Sequence, residues 1–431
     1  MSGSFDIIYT EDTASKRHKA YEKYAHSQQG ILITNYHSFL NDTAYFKNLP
    51  IDFVVIDEAH SVATRKGKIN NNIKSVVDGR TCIFLTGTPV MSKPEDIFSI
   101  TQIADSSYFG PWKDFSKEYL VYANSPFGYQ LVGCKNLDKL RHKIQDILIR
   151  RTEYEVSVQL PNTVTTRIDC DMDSVQARLL SVIEEEQNDI ILKMKALKKS
   201  DGSVSNSQQY AILDAMSKSL ISAKQAACTD PRMFSMSLSK KMKERYAQYI
   251  PSNYKSSAKL ENLCELVETI VDGGNKVIIF SKFRTSAVLA AKDISSKLKY
   301  NVLLYTGAED GETRNRNLDL FRNDDTYNVL IGTDAMAEGV NLAEAKYVIN
   351  IDQPDTSAIK TQRIGRARRV SSQFDTVICY DLITNSSNGI KSKDEERLEN
   401  IEKTKNMDDA LIGASVAQRA ALINAIKKEG D

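Results

Sequence analysis

The sequence lacks the features that mark zinc proteins, secreted proteins and membrane proteins. Its six cysteines are widely spaced and include no C-x-x-C pair, which argues against a zinc site and favours a reducing compartment. No signal peptide is recognisable. No apolar run approaches the roughly 18 residues of a membrane span. We therefore expect a protein of the cytoplasm or nucleoid (the host cytoplasm for a viral protein) that is not secreted and has no membrane partner.

The sequence also lacks a strong excess of one charge. The net charge is +1, with 41% hydrophobic and 26% charged residues, values that are ordinary for a globular protein. No global positive field indicates nucleic acid, although a local basic groove would be enough to bind it. The 431 residues predict two or three domains.

The stretch FVVIDEAH, residues 53 to 60, joins a short apolar run to two acids, Asp57 and Glu58. Such a run predicts a buried parallel strand with both faces covered. Ligands of open α/β sheets bind at the carboxyl ends of strands. In nucleoside triphosphatases of this layout the first acid holds Mg²⁺ and the second orients the attacking water. The alternative is a strand that runs into an exposed acidic turn.

Strand-like runs alternate with helical stretches in two series, which predicts α/β architecture with parallel, doubly wound sheets. Helical periodicity dominates between about residues 95 and 260, and residues 201–209 predict a flexible loop. The charged end of the chain predicts a helical surface appendage. FDIIY near the start is a short apolar run, and GILITNYHSFL (30–40) predicts a strand followed by a turn or the start of a helix. The other predicted strands are FVVI (53–56), TCIFLTGTP (81–89), KVIIFS (276–281), NVLLYTG (301–307), YNVLIGT (327–333), KYVINID (346–352) and DTVICYDLI (375–383).

Two further segments carry groups suited to phosphate. In QRIGRARR, residues 362 to 369, Arg366 and Arg369 would share one face of a helix and could grip a phosphate. A solvated basic helix is the alternative, but a glycine within the segment favours function, since a free surface helix gains nothing from it. GTDAMAEGVNL (332–342) and YTGAED (305–310) place hydroxyls and bends after strands, where phosphate or ribose could bind. A plain strand-to-helix turn explains either one equally well.

Taken together, the segments resemble a superfamily 2 helicase-type motor, most closely its Swi/Snf branch. Eight motifs in the family's order are not a chance match. They are ILITNYHSF, VVIDEAH, LTGTPV, ILIRRTEYEVSVQLP (147–161), KQAACTDP (224–231), SAKLENLCELVETIVDGGNKVIIFSKF (257–283), GTDAMAEGVNL and QRIGRARRV.

The resemblance implies two RecA-like parallel-sheet lobes, the first incomplete at its N-terminus, with helical insertions between them. It places a partial first lobe at residues 1–105, a helical insertion at 106–255, the second lobe at 256–388 and a helical tail at 389–431. It also implies an ATPase that uses ATP and Mg²⁺ to move along or remodel DNA, with double-stranded DNA favoured and RNA not excluded.

The resemblance further assigns roles to single residues. Asp57 would coordinate Mg²⁺, Glu58 would polarise the attacking water, and His60 would couple the nucleotide to the second lobe. Arg366 and Arg369 would reach the γ-phosphate. The other residues assigned to the nucleotide are Gln362, Glu338 and Gly339, and those assigned to the phosphates of one DNA strand, contacts that carry no sequence information, are Thr34, Thr306, Gly307 and Thr333.

One element of the family is absent from the sequence. No phosphate loop of the form G-x-x-x-x-G-K-S/T occurs in the 431 residues, and only 56 residues precede Asp57, whereas in the family this loop comes before the DEAH box. We expect a separate polypeptide to supply it. A truncated product and a nucleotide-independent DNA-binding remnant are the alternatives.

Other functions stay open at this point. A strand-separating helicase or RNA-dependent ATPase of the same superfamily would share these motifs, although the RRT and LP elements favour a translocase. A scaffold built from an inactive motor would explain the missing phosphate loop but not the intact acids and arginines. A small-molecule transferase has little support. The compact size resembles motors of large DNA viruses, phages and bacteria.

Overall fold

The structure is a computed structural model that describes residues 5–11, 13–65, 67–86, 95–125, 128–149, 160–198, 204–236, 240–337, 339–387 and 389–412. The chain forms two compact units, one comprising Met1–Tyr122 with Leu131–Ile144 and the other Ala123–Gln130 with Gln145–Asp431. None of the helices described has the length and apolar content that crossing a membrane would require.

The first unit alternates strands and helices as the sequence predicts. Its described elements, including a strand pair that passes into the second unit, are β1 (Asp6–Tyr9), α1 (Ala14–Ala25), β2 (Gly30–Ile33), α2 (Tyr36–Asn48), β3 (Phe53–Ile56), a 3₁₀ turn (Ala59–Val62), α3 (Lys68–Val77), β4 (Thr81–Phe84), α4 (Glu95–Ala104), α5 (Trp112–Tyr119), β5 (Leu120–Ser125), β6 (Gly128–Cys134) and α6 (Leu137–Ile144).

Two parallel strand pairs, β1 with β2 and β3 with β4, form the sheets of this unit. One side of these strands packs on a core built from α1, α2, α3 and α4, to which Leu32, Val54 and Phe84 contribute. The other side is open, with Phe53 48% and Val55 54% exposed. The prediction that β3 is covered on both faces is therefore wrong within the described chain, because its helices all pack on one side.

The second unit contains the second predicted series of strands. Its described elements are β7 (Asn162–Cys170), α7 (Ser174–Ala196), α8 (Ser207–Thr229), α9 (Arg232–Ser235), α10 (Lys240–Tyr246), a 3₁₀ turn (Ala247–Tyr249), α11 (Ala258–Asp272), β8 (Val277–Phe280), α12 (Arg284–Leu298), β9 (Val302–Tyr305), α13 (Gly311–Asn323), β10 (Val329–Gly332), a 3₁₀ turn (Asp334–Ala337), β11 (Tyr347–Asn350), α14 (Ser357–Ala367), β12 (Thr376–Thr384) and α15 (Lys393–Ile412).

The described strands of this unit form one parallel sheet in the order β7-β12-β11-β8-β10-β9. Its central strand β8 is covered on both faces. Val277 and Ile279 enter a core with α11 and α12, whereas Ile278 and Phe280 enter a second core with α13 and α14. Successive side chains of a strand point to opposite faces, so this division shows helices on both sides and confirms the α/β fold class.

Local sequence signals start the helices of this unit. The Asp173 side chain accepts hydrogen bonds from the Val175 and Gln176 amides, and the Gln176 side chain accepts from the Asp173 amide. This capping box satisfies amides that an isolated helix start leaves unpaired. The Asn206 side chain likewise accepts from the Gln209 amide and caps α8, so α8 begins inside the stretch 201–209 predicted as a loop. Residues 201–203 of that stretch lie outside the described residues.

The segment predicted as a helical insertion, 106–255, is not entirely helical. It contains β5, β6 and the nine-residue strand β7. β7 pairs with β12 along its whole length, from Asn162 opposite Thr376 to Cys170 opposite Thr384, and so completes one edge of the second sheet. Most residues of β7 are exposed, so the strand lacks the apolar run by which buried strands are recognised.

The C-terminal helix α15 is anchored in the second unit rather than being a surface appendage. Asp394, at its start, is 0% exposed and forms an ion pair with Lys259, which is 1% exposed. Asp394 also accepts hydrogen bonds from the Gln225 side chain and the Thr384 amide. Burial raises the pKa of Asp394, but the Lys259 charge and these hydrogen bonds outweigh burial and hold the pKa below its ordinary value.

Removing the Asp394 charge should destabilise the second unit. We expect Asp394→Asn to lower the free energy of unfolding by about 3–5 kcal/mol, since it leaves Lys259 buried without its counter-charge. Denaturant titration measures this change. Glu402→Gln, at an exposed position of the same helix, is the control and should stay within about 0.5 kcal/mol of wild type. Equal effects of the two substitutions would contradict the anchoring role.

The deficit of Asp394→Asn should depend on pH. Because the pKa of Asp394 is lowered in the folded chain, its contribution is fully present above the ordinary aspartate pKa of about 3.9 and is lost as the pH falls through the folded value. The difference in unfolding free energy between wild type and Asp394→Asn should therefore shrink in acid. A difference that stays constant from neutral pH into acid would contradict this assignment.

Candidate functional site

The two acids of the first unit follow directly on β3. Asp57 is exposed and Glu58 is partly exposed. The Tyr36 hydroxyl donates to the Asp57 carbonyl at 2.7 Å, and the Glu58 amide donates to Asp57 Oδ1 at 2.9 Å. These bonds fix the turn after the strand, so that the Asp57 carboxylate stands at the carboxyl end of the sheet, where ligands of such sheets bind.

The backbone at Glu58 adopts an uncommon conformation. Its φ of 47° and ψ of 50° lie in the left-handed region, which non-glycine residues rarely occupy and which often marks functional sites. His60, whose side chain is 7% exposed, places Nδ1 3.2 Å from Glu58 Oε2. This distance suits an ion pair once the imidazole is protonated, but the alignment of a hydrogen bond is absent. The turn therefore brings the three predicted side chains of this motif together.

Two threonines, Thr10 and Thr34, lie at the carboxyl ends of β1 and β2 in the same unit. The Thr10 hydroxyl donates to the Thr34 hydroxyl at 3.0 Å. Thr34 is half-buried and directly follows β2. The structure thus places Thr34 at a strand end, as the sequence predicts. Gly87, Thr88 and Pro89, the end of the predicted strand TCIFLTGTP, lie outside the described residues.

A buried arginine organises the strand ends of the second unit. Arg363, on α14, is 0% exposed. Its Nη1 donates to Asn350 Oδ1 and to the Asp352 carbonyl, both at 3.0 Å. Its Nε donates to Asp334 Oδ1 at 2.8 Å. One guanidinium therefore connects α14 to the segments that follow β10 and β11.

Asp352 is the second fully buried member of this cluster. Its carboxylate accepts from the Ser281 hydroxyl at 2.6 Å and from the Lys282 amide at 2.8 Å, which ties in the end of β8. Its Oδ1 lies 3.8 Å from Arg363 Nη2. Burial raises the pKa of Asp352, and the Arg363 charge and the Ser281 hydrogen bond oppose that rise.

The two predicted phosphate-binding arginines converge on one carbonyl. Arg366 Nη1 donates to the Val340 carbonyl at 3.1 Å, and Arg369 Nη2 donates to the same oxygen at 3.4 Å. The prediction that they share a helix face is wrong, because α14 ends at Ala367 and Arg369 lies beyond it. The common carbonyl brings them together instead. Gly339, next to it, has φ of +69°, which confirms the predicted bend.

The remaining predicted residues differ in placement. Thr306 is 0% exposed and its hydroxyl accepts from the Ala308 amide at 3.2 Å, so it shapes its turn and does not face solvent, whereas Gly307 beside it is exposed. Thr333 is half-buried after β10. The Gln362 carbonyl accepts from Arg366 Nε at 3.2 Å. Glu338 lies outside the described residues.

Comparison with known families matches this chain to two models. The SNF2-related domain model matches residues 2–233, and the Helicase conserved C-terminal domain model matches residues 258–371. The chain belongs to the SNF2-related family. It is thus a Swi/Snf-like, helicase-type protein of superfamily 2, as the order of its motifs predicts.

Curated relatives carry longer chains. This SNF2-related chain is 24% identical over 375 residues to an "Uncharacterized ATP-dependent helicase" of Mycoplasma pneumoniae, covering 87% of this chain and 32% of the relative. It is 24% identical over 374 residues to the Drosophila melanogaster "SWI/SNF-related matrix-associated actin-dependent regulator of chromatin subfamily A-like protein 1", covering 85% and 43%. The chain thus spans between about a third and two-fifths of these relatives.

One solved structure is also similar. The "Crystal structure of the C-terminal part of Fun30 ATPase domain" matches with a TM-score of 0.42 and 21% identity, covering 59% of this SNF2-related chain and 97% of that one.

Reasoning from the sequence missed Arg363 and Asp352, whereas Asp334 lies in GTDAMAEGVNL, the segment after a strand that the sequence indicates for phosphate or ribose. Asp352 follows the predicted strand KYVINID, so the argument that selected Asp57 at the end of its strand would also have selected Asp352. Arg363 lies inside QRIGRARR, but the sequence does not show which arginine of that run is buried. In this SNF2-related chain Arg363 is 0% and Arg366 9% exposed, both on α14, whereas Arg369 is partly exposed beyond the end of that helix.

Removal of the Arg363 guanidinium should destabilise the second unit. We expect Arg363→Met to cost about 3–5 kcal/mol in the free energy of unfolding, because the buried Asp352 loses the charge that most strongly opposes its burial. Urea titration measures the loss. Arg316→Met, at an exposed position of α13, is the matched control and should change stability by less than about 0.5 kcal/mol.

The Arg363→Met deficit in unfolding free energy should also depend on pH. Loss of the guanidinium removes the charge that opposes the raised pKa of Asp352, so the variant would raise that pKa further. A group with a raised folded pKa destabilises the folded state as the pH rises through that value. The deficit should therefore shrink as the pH is lowered, and a deficit that grows in acid would contradict this account.

Proposed function

We propose that this chain is the larger part of an ATP-driven, Swi/Snf-type motor that moves along double-stranded DNA or remodels its complexes. The observation that carries the proposal is the Asp57–Glu58 turn at the carboxyl end of β3, with His60 Nδ1 3.2 Å from Glu58 Oε2. The names of the relatives add support, since two are described as an ATP-dependent helicase and a SWI/SNF-related regulator of chromatin.

The chemistry of the acids fits a nucleotide with Mg²⁺. Mg²⁺ prefers oxygen ligands and binds through one or two carboxylates together with substrate phosphates, and Asp57 presents an exposed carboxylate after the strand. In this role Asp57 would hold the ion, which would neutralise charge on the phosphates. Glu58, set apart from Asp57 by its left-handed backbone, would orient the attacking water, and the buried His60 would position Glu58.

The arginines of the second unit fit the other half of this chemistry. Arg366 and Arg369 are held near each other by the Val340 carbonyl, and guanidinium groups bind phosphate through paired hydrogen bonds. We propose that they stabilise the charge on the γ-phosphate during hydrolysis, with Gln362, Glu338 and Gly339 at their side. Arg363 would position them by fixing α14.

We further propose that the two units are the two RecA-like lobes of such a motor, with a phosphate loop supplied by a separate polypeptide. No G-x-x-x-x-G-K-S/T occurs in the sequence. DNA phosphates would be contacted at strand ends by Thr34, Gly307 and Thr333, each beside the end of a strand. Thr306 would support Gly307 through the turn.

The isolated chain should hydrolyse ATP poorly or not at all, because its sequence contains no G-x-x-x-x-G-K-S/T loop to hold the triphosphate. With the phosphate-loop polypeptide present, DNA-stimulated phosphate release should appear. Glu58→Gln should abolish it, and Arg366→Ala should lower kcat by about 10³ to 10⁵. Arg316→Ala, exposed on α13, serves as the control for both. Turnover by the chain alone that Glu58→Gln abolishes would show that the phosphate loop is not needed.

Translocation and strand separation can be told apart directly. A motor of the Swi/Snf type should displace the third strand of a DNA triplex in the presence of ATP while leaving the duplex paired. A strand-displacement assay on the same duplex is the matched measurement. Strand release without triplex displacement would favour the helicase alternative, and neither activity from the assembled complex would favour an inactive DNA-binding remnant.

A further inference from the structure

A cleft with a basic wall lies in the first unit, between α3, α4 and the turn that leads into α5. Its volume is about 610 Å³, within the range of roughly 300–1,000 Å³ that is usual for ligand pockets. None of the described residues that line it is acidic. We define this basic cleft by Arg65, Asn71, Lys74, Phe98, Gln102 and Trp112.

The Arg65 guanidinium is held by stacking rather than by hydrogen bonds. Its Cζ lies 4.1 Å from the centre of the Trp112 ring, which is a cation–π contact. Among the described residues, Arg65 has no ion pair and no side-chain hydrogen bond. A stacked guanidinium keeps its N–H edge open, and that edge pairs with anionic oxygens in a bidentate geometry. Arg65 is therefore oriented for an anion that the described chain does not supply.

The helix α3 adds two more donors to the same cleft. Asn71 and Lys74 are three residues apart and share one face of the helix. Lys74 Nζ donates to Gln102 Oε1 at 3.4 Å, and Lys74 forms no ion pair within the described chain. The acid nearest to the cleft in the sequence, Asp105, already accepts from the amide and the hydroxyl of Ser107 at 2.8 and 2.6 Å. Two positive charges thus line one cleft without a described counter-charge.

The walls of the basic cleft are fixed by hydrogen bonds of their own. Gln102 Nε2 donates to the Ser106 carbonyl at 2.8 Å and to the Gly110 carbonyl at 3.2 Å, which fixes the turn before α5. Asn70, which is 5% exposed, donates to the Val62 carbonyl at 2.8 Å and so ties α3 to the 3₁₀ turn after β3. A preformed cleft lowers the cost of ordering that binding a ligand would otherwise carry.

The apolar part of the cleft distinguishes between anionic ligands. Phe98 packs edge-on against Trp112, with ring centres 5.0 Å apart, and Pro111 beside them is exposed. A DNA phosphate is bound by polar donors alone and gains little from apolar groups next to the cations. An acidic peptide offers both a carboxylate and neighbouring apolar side chains. Tryptophan and arginine are also the residues that most often dominate protein interfaces, so the composition of the cleft favours a peptide.

We propose that the basic cleft binds an acidic peptide segment of a partner protein. A carboxylate of the segment pairs with Arg65 and Lys74, and Asn71 donates a further hydrogen bond. An apolar side chain next to that acid lies against Trp112 and Pro111. The site is distinct from the Asp57–Glu58 turn, and its occupation requires neither ATP nor DNA.

The chain contains a single tryptophan, so the fluorescence of Trp112 reports on this cleft alone. A random-peptide phage library selected on the full chain supplies the probe. The enriched sequences should place an acidic residue next to an apolar one. A synthetic peptide of such a sequence should change the Trp112 emission on titration. The Kd from that titration should rise with ionic strength, because salt screens the charge pairs.

Substitution of the two cations provides the decisive comparison. Arg65→Gln and Lys74→Gln should each raise the Kd of the acidic peptide by about tenfold. Lys47→Gln, at an exposed position on α2 of the same unit, is the matched control and should leave the Kd unchanged. The double variant Arg65→Glu with Lys74→Glu should lose the acidic peptide and bind the version in which lysines replace its acids. A merely structural role of the cations would not produce that exchange.

Three results would overturn the peptide site. The first is enrichment of peptides without acidic residues, and the second is an acidic peptide whose Kd is the same for wild type, Arg65→Gln and Lys74→Gln. The third is a short DNA duplex that changes the Trp112 emission and binds more weakly to these two variants, which would assign the cleft to DNA phosphates. Inorganic phosphate, titrated alone, should leave the Trp112 emission unchanged; binding as tight as that of the peptide would show a site for small anions instead.

Discussion

The burial of a single guanidinium, that of Arg363, is the interaction on which the second unit's candidate site depends. A buried charge is stable only when it is paired and hydrogen-bonded. Arg363 donates hydrogen bonds through Nε and Nη1 to groups at the ends of two different strands, and its Nη2 lies 2.7 Å from Asp334 Oδ1 and 3.8 Å from Asp352 Oδ1. The same bonds hold α14 against the ends of the sheet. These bonds therefore also set the positions of Arg366, which lies on α14, and of Arg369, which lies just beyond its end.

The first unit depends on a different constraint, the need of parallel strands to be covered on two sides. Four helices cover the inner side of its strands, and the outer side exposes Phe53 and Val55 to solvent. In the second unit each strand that carries functional groups is buried between two helix layers. The described strands of the first unit therefore keep apolar side chains exposed on one side, whereas the central strand β8 of the second unit is covered on both.

Much of the fold could be predicted from the sequence because buried parallel strands are short, apolar and regularly spaced. The strands β8 to β11 lie within the predicted runs, and β12 extends one residue beyond its run, to Thr384. β7 could not be predicted, because its exposed, polar edge carries no apolar run. The burial of α15 was missed for a related reason: its first turn is acidic, and a buried Asp394 is intelligible only once Lys259, 135 residues away in the chain, is beside it.

For the candidate site, the sequence showed which residue types follow which strands, and this was enough to select Asp57, Glu58, Gly339 and the arginine run. It could not show how these groups are held. The Val340 carbonyl that joins Arg366 to Arg369 replaces the helix face that their spacing predicted. The sequence assigned Thr306 to a DNA phosphate contact, but the Thr306 side chain is buried in its own turn.

The sequence by itself determined the alternation of strands and helices, the family and the residues at the strand ends, because these follow from local patterns of polarity and from motifs in order. Only the tertiary structure decided which charges are buried, where α14 ends and which face of the first sheet is left open. Those outcomes depend on contacts between segments far apart in the chain. A local sequence pattern does not show whether a distant segment buries a given apolar side chain.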